Sequence, residues 1–309
     1  MRPAIPSAMF SALWAGLAAC GAMTSTSTHI GGPCDASNKC DAGQICDRTN
    51  PGGQVCVDAN GDMDGDGIPN GKDFCQHMAG GANDEDGDGI GDECDACPIA
   101  PPPVSAEGDG DAVTAPCDPD TRTPGDRILL FNGFNAAVAG ASSAWKFQNG
   151  EAIVTPSAPD MPEELPFPLA TASNHLTIFA AYRIDGVSTT AATADAAVRT
   201  RANLPFDKTM VQCGGSRAQG ADAVLLTQTD TDMAMINSSK PVSTAFSPTA
   251  TYRIAQQLDG AVANCALVGD TMANQGAIQL AINGSTPSQA VLYARGATVR
   301  FSYILVVGQ

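Results

Sequence analysis

Two short acidic tracts carry the densest chemistry in this 309-residue chain. The first reads Asp62-Met-Asp64-Gly-Asp66-Gly67-Ile-Pro-Asn70-Gly-Lys-Asp73-Phe-Cys75. The second reads Asp84-Glu-Asp86-Gly-Asp88-Gly89-Ile-Gly-Asp92-Glu-Cys94-Asp95-Ala-Cys97. Carboxylates at every second position suit a hard cation such as Ca²⁺, which takes about 6–8 oxygens at roughly 2.3–2.6 Å and tolerates irregular geometry. Alternation turns three side chains toward one point while the backbone curls around it. Gly67 and Gly89 supply the bend, and the carbonyls of Ile68 and Ile90 are placed to add oxygens. Asn70 with Asp73, and Asp92 with Asp95, close the two shells. An acidic, disordered linker is the competing reading of such composition. Cysteines that keep register with the acids argue against it. Without cations the carboxylates would repel one another, so calcium is the expected folding partner.

The copies are in step: Asp62 and Asp84, like Asp64 and Asp86, lie 22 positions apart. A third copy places Glu107, Asp109, Asp111, Cys117 and Asp118 in matching positions. Ala112 replaces its glycine and Ala115 its fourth acid, so Asp109, Asp111 and Asp118 are expected to hold an ion more weakly. Asp73 and Asp95 also fall on the twelfth position of an EF-hand-like loop. The flanking Gly, Asn, Pro and Cys residues start turns and end helices, however. The tracts instead resemble the thrombospondin type 3 repeat, whose pattern closes on Asp-x-Cys-Pro, as in Asp95-Ala96-Cys97-Pro98. The first copy lacks that proline and has Asn70 where Asp is usual. The resemblance covers about a fifth of the chain. It implies Ca²⁺ as the cofactor and disulfides between neighbouring copies, Cys75 with Cys94 and Cys97 with Cys117. Zinc on Cys94-x-x-Cys97 is the weaker alternative, since no second Cys-x-x-Cys follows.

Residues 1–19 read as an export signal. Arg2 is followed by an apolar run from Ala8 to Ala19, too short to span a bilayer. Leu17-Ala18-Ala19-Cys20 resembles a bacterial lipobox. That implies cleavage before Cys20, acylation of its thiol, and anchoring by lipid at the outer membrane or cell surface of a Gram-negative bacterium. No later stretch reaches transmembrane length. Eleven cysteines less Cys20 leave ten, an even number that suits disulfides in an oxidising compartment.

The rest divides by composition. Residues 20–33 form a polar tether containing Thr24 to Thr28. Residues 34–57 form a cysteine-rich module with Cys34, Cys40, Cys46 and Cys56, resembling short EGF-like or dickkopf-like units. It encloses too few apolar residues for a core, so disulfides must hold it. Three pairings are open; Cys34–Cys46 with Cys40–Cys56 is the expected one. Residues 58–123 form the repeat stalk, stiffened between copies by Pro101-Pro-Pro103. From Asp58 to Asp120 there are seventeen acids against one base, Lys72, so most of the net charge of −17 lies here. Such a front disfavours nucleic acid as a partner.

Residues 124–309 suffice for one sizeable core. Leu176-Ile178-Ala180-Tyr182-Ile184 and Val299-Phe301-Tyr303-Leu305 alternate as strands do. Further strand candidates cover 128–131, 152–155, 210–213, 224–227, 233–236, 252–256, 261–267, 277–282 and 290–294. Asn149-Gly150, Asp185-Gly186, Asp259-Gly260 and Asn283-Gly284 read as turns. Many short strands without an amphipathic helix predict a mainly β fold, an antiparallel β-sandwich. Cys213 and Cys265 fall in strand candidates and are expected to pair, across or within the sheets. The series Phe131-Asn-Gly-Phe134, Trp145, Asn149-Gly150, Tyr252-Arg253-Ile254, Asn264-Cys265 and Val299-Arg-Phe-Ser-Tyr303 resembles concanavalin A-like, laminin G-like jelly rolls. That resemblance implies a lectin-like domain, with glycan or a surface or matrix protein as partner.

Jelly rolls also include glycoside hydrolases, which need two carboxyls about 5–5.5 Å or 6.5–9.5 Å apart. This domain has only Glu151, Glu163 and Glu164, the last two in a proline-rich segment read as a surface loop. The family 16 pattern Glu-x-Asp-x-Glu is missing. His175 reads as a loop residue, and Asp230 with Asp232 as a solvated turn. Trp145, Phe134, Tyr182 and Tyr252 belong by default to the core. The expectation is a non-enzymatic, calcium-binding surface lipoprotein whose stalk presents a lectin-like sandwich for adhesion. A purely structural spacer is the alternative, and a glycoside hydrolase the remoter one.

Overall fold

The computed structural model describes residues 30–101, 109–202, 209–230, 232, 234–284 and 286–309. The export signal, Cys20, the Thr24–Thr28 tether, Pro102, Pro103, Glu107 and Met233 lie outside the described residues. β1 (Gln44–Asp47) and β2 (Val55–Asp58) form an antiparallel hairpin around the Asn50-Pro-Gly-Gly53 turn. Disulfides Cys34–Cys46 and Cys40–Cys56 staple it. Among the described residues the repeats contain only one short 3-10 turn, Asn70–Lys72. Their bridges are Cys75–Cys94 and Cys97–Cys117. Cys94 and Cys97 thus serve different disulfides and leave no thiolate pair for zinc.

The sandwich begins with β3 (Arg127–Asn132), β4 (Trp145–Gln148), β5 (Glu151–Val154) and β6 (Glu163–Pro168). Next come β7 (His175–Val187), β8 (Thr193–Arg201), β9 (Met210–Ala218), β10 (Ala221–Thr229) and β11 (Met235–Pro241). It ends with β12 (Tyr252–Asp259), β13 (Val262–Val268), β14 (Gly276–Ala281), β15 (Gln289–Arg295) and β16 (Ala297–Gly308). One sheet runs β11-β10-β9-β8-β15-β6; the other runs β14-β13-β12-β7-β16-β5-β4, with β3 also paired to β16. Neighbouring strands are antiparallel throughout. The mainly β, antiparallel sandwich expected from the alternation is what forms.

Inward side chains of both sheets make the core, including Ile178, Tyr182, Leu226, Ile254, Leu267, Leu292 and Phe301. The Tyr182 and Tyr252 rings stack with centroids 5.1 Å apart, and Tyr182 donates its hydroxyl proton to the Ala245 carbonyl at 3.0 Å. Trp145 and Phe134 are buried as well. Cys213 on β9 pairs with Cys265 on β13, so this disulfide crosses between the sheets.

Three elements escaped the sequence reading. β6 carries Pro166 and Pro168, but as an edge strand it needs no donor on its open side. Glu163 and Glu164 are therefore strand residues and not a loop. β8 is Ala-rich, with weak strand propensity, and is buried on both faces. β4 is only four residues long. Asp185-Gly186 is not a turn: β7 runs through it, and Arg300 of β16 donates to both Asp185 carboxylate oxygens at 2.7 Å.

The third repeat does not stand clear of the sandwich as part of a stalk. Val113 and the Cys97–Cys117 bridge pack with Leu305, Val307, Ile128, Phe131 and Phe179 on the outer face of the larger sheet. This segment has almost no aliphatic interior of its own, and the sheet supplies one. β16 records the contact: it alternates buried and half-buried up to Ser302, then is buried at every position from Tyr303 to Gly308. A strand covered on both faces loses its alternation.

Candidate metal centre

Each acidic loop is shaped by its own carboxylates. In the first, Asp62 accepts from the Gly65 and Gly67 amides at 2.8 and 3.0 Å, and Asp64 from Asp66 at 3.1 Å. Asp66 accepts from Ile68 at 2.7 Å and Asp73 from Cys75 at 2.8 Å. The second loop repeats the scheme. Asp84 accepts from Gly87 and Gly89, each at 2.8 Å, Asp86 from Asp88 at 3.0 Å, and Asp88 from Ile90 at 2.7 Å. Asp95 accepts from Cys97 at 2.9 Å. Gly65, Gly67, Gly87 and Gly89 all have φ between +77° and +94°, which a side chain would strain.

These bonds leave oxygens without donors in the loop interiors. Asp64, Asp73, Asp86, Asp88 and Asp95 each have a buried Oδ2 with no hydrogen-bond partner. Asp73 is 3% exposed and Asp95 8%. Ligand oxygens of Asp62, Asp64 and Asp66 lie within 4.8 Å of one another, as do those of Asp84, Asp86 and Asp88, and those of Asp109, Asp111 and Asp118. Burying ionised oxygens without countercharge is costly. The donor set is oxygen throughout, which fits a hard divalent cation.

Electrostatics tell the same story. Burial pushes Asp95 up to about 7, with Asp88, Asp86 and Asp92 adding to it. Asp92 rises to about 6, mainly through burial, and burial raises Asp73 and Asp86 as well. Asp66 moves the other way because the Gly80 and Ile68 amides donate to it. Asn70 is a strap: it accepts from Met63 at 3.0 Å and donates to the Asp58 carbonyl at 2.8 Å. Asp92 holds Glu85 in the same way at 2.9 Å.

A second polar surface, missed in the sequence, lies on the outer face of the smaller sheet. Arg199 sits 3.4 Å above the Tyr293 ring centroid and donates to Glu164 at 2.6 Å and Gln212 at 2.8 Å. Arg201 binds the other Glu164 oxygen, and Arg295 pairs with Asp195 at 2.6 Å. Cross-strand register aligns Tyr293 with Glu164 and Arg295 with Asp195. The signal lay in the alternation Asp195-x-Ala-x-Arg199-x-Arg201, which became readable once β8 was a strand. His175 opens β7 and contacts Asp259 at 2.9 Å, while Asp230 accepts from Asp232 and Ala234 in a turn.

No protein-family model and no curated protein matches the sequence. Among solved structures, the chain is similar to the CBM2 module of the evolved Dit of Lactobacillus casei BL23 phage J-1, at 11% identity and TM-score 0.42, covering 59% of this chain and 96% of that one. It is also similar to the carbohydrate-binding module CBM66 from Bacillus subtilis, at 12% identity and TM-score 0.36, covering 57% and 93%. A third is the catalytic domain of an endo-1,3-β-glucanase (laminarinase) from Thermotoga petrophila RKU-1, at 8% identity and TM-score 0.40, covering 60% and 98%. At these scores neither ligand nor activity passes to this chain. Five disulfides among the described residues match maturation in an oxidising compartment. No described helix is long and apolar enough to cross a membrane.

Proposed function

We propose that the protein is an exported, calcium-binding surface lipoprotein whose repeats brace a lectin-like β-sandwich that binds a glycan or a surface or matrix protein. The observation that carries this reading is the set of buried, donorless oxygens on Asp64, Asp73, Asp86, Asp88 and Asp95. Asp62, Asp64, Asp66 and Asp73, backed by Asn70, would hold one ion. Asp84, Asp86, Asp88, Asp92 and Asp95 would hold another. The ion supplies the positive charge that the loops lack, and the Ile68 and Ile90 carbonyls are candidates to complete the shells. Attachment at Cys20 rests on the lipobox resemblance, and intact mass of membrane-extracted protein tests it.

Catalysis is not part of this reading. Glu151 is engaged by Arg183 and Arg300, Glu163 accepts from Ser142, and Glu164 is clamped by Arg199 and Arg201. The deciding experiment is calorimetry of the oxidised protein with Ca²⁺. Binding that weakens in Asp66→Ala and in Asp88→Ala supports the reading; no heat at millimolar Ca²⁺ ends it. A glycan array then separates adhesion from a spacer role.

A further inference from the structure

We propose that Asp126, which lies outside the repeat pattern, completes a third cation site with Asp109, Asp111 and Asp118, and that the ion locks the end of the repeats onto the first strand of the sandwich. This rests on the calcium reading above and extends it to a copy whose spacing falls one acid short.

The third loop follows its neighbours. Asp109 accepts from the Asp111 amide at 3.2 Å, and Asp111 from Val113 at 2.9 Å. Ala115 stands where the second copy has Asp92. The missing carboxylate arrives from downstream. Gly125, at φ +131°, donates to Asp111 Oδ2 at 3.1 Å; Gly80, at φ +127°, donates to Asp66 Oδ2 at 2.9 Å. Each glycine lies fourteen residues after its acid, so the two segments are structural equivalents.

The next residue differs. In the first copy it is Gly81, where an added Cβ would lie 2.1 Å from Asp73, the acid at position twelve. In the third copy it is Asp126, whose carboxyl feels the charge of Asp118, the corresponding acid. Asp126 is 4% exposed, and its Oδ2 has no hydrogen-bond donor. Burial first, then the charges of Asp118, Asp111 and Asp109, push its carboxyl up to about 6. Its amide meanwhile donates to Asp111 Oδ2 at 2.8 Å, which holds it in the loop. Asp109 Oδ2 is likewise buried without a donor. Asp126 immediately precedes β3, and Val113 lies within the same loop, buried on Leu305 and Val307. An ion here would therefore tie both ends of the 109–126 segment to the sheet.

The test compares intact, oxidised wild type with Asp126→Asn by Ca²⁺ stoichiometry and by trypsin cleavage after Arg122, an exposed residue between Asp118 and Asp126. The expected result is one ion fewer per chain, and cleavage in Ca²⁺ as fast as that of wild type in EGTA. Unchanged stoichiometry and affinity in Asp126→Asn overturn the third site while leaving the first two standing. A wild type that takes up no Ca²⁺ overturns both readings. If Asp126→Asn fails to fold, Asp109→Asn carries the same comparison.

Discussion

Val113 of the third repeat and Leu305 of β16 share one buried cluster, and neither has exposed surface. A tract with little interior of its own thus borrows one from a neighbouring sheet. Leu305→Ala should lower stability by about 2–5 kcal/mol, the usual cost of emptying a buried leucine site. It should also speed tryptic cleavage after Arg122, because the repeats lose part of their seat. Urea unfolding with parallel proteolysis checks both; a stability loss with unchanged cleavage would place Leu305 in the sandwich core alone.

Metal removal should act on the repeats and spare the sandwich. Cys75, Cys97 and Cys117 are wholly buried beside the acidic loops. In EGTA the Cys75–Cys94 and Cys97–Cys117 bridges should be reduced faster, and Cys213–Cys265 at an unchanged rate. Timed alkylation with mass spectrometry resolves each bridge. Equal rates with and without chelator would remove metal from the account of this segment.

Asp222 makes the sandwich acid-sensitive. Burial alone would raise its carboxyl, but bonds donated by Arg217, the Ala245 amide and Thr244 outweigh that and hold it below its ordinary value. A carboxyl held low stabilises the fold above about pH 4, and the contribution fades as pH falls through the lowered value. Asp222→Asn should cost about 1.5–3 kcal/mol at neutral pH, the range for hydrogen bonds to a charged group. The gap from wild type should close on acidification. Urea midpoints between about pH 6 and pH 2 test this; a gap that persists at the acid end would contradict it.

Arg201 offers a probe of the outer face of the smaller sheet. It is partly exposed and shares Glu164 with Arg199. Arg201→Ala should reduce retention of the protein on glycan or surface-extract arrays, with the melting temperature little changed. Undiminished retention would show that this face takes no part in binding.

The geometry of the acidic loops was legible because its logic is local. Asp62, Asp64 and Asp66 are neighbours in sequence, and Gly65 and Gly67 bend the chain between them. Alternation exposed β7 and β16 for the same reason. β6 and β8 were hidden because local propensity runs against them: edge position excuses the prolines of β6, and burial on both sides excuses the alanines of β8. The run Tyr303-Ile-Leu-Val-Val307 did hint at cover on both faces, but it could not say what the cover was.

Residue spacing alone therefore determined the acidic loops, their register with the cysteines, and a β-sandwich behind them, since each depends on contacts a few residues apart. Tertiary structure decided that the third repeat lies against the larger sheet, that Arg199, Tyr293 and Glu164 meet on one face, and that Asp126 is buried against the third acidic loop. Those outcomes depend on which distant surfaces bury each other, and no short-range pattern encodes that choice.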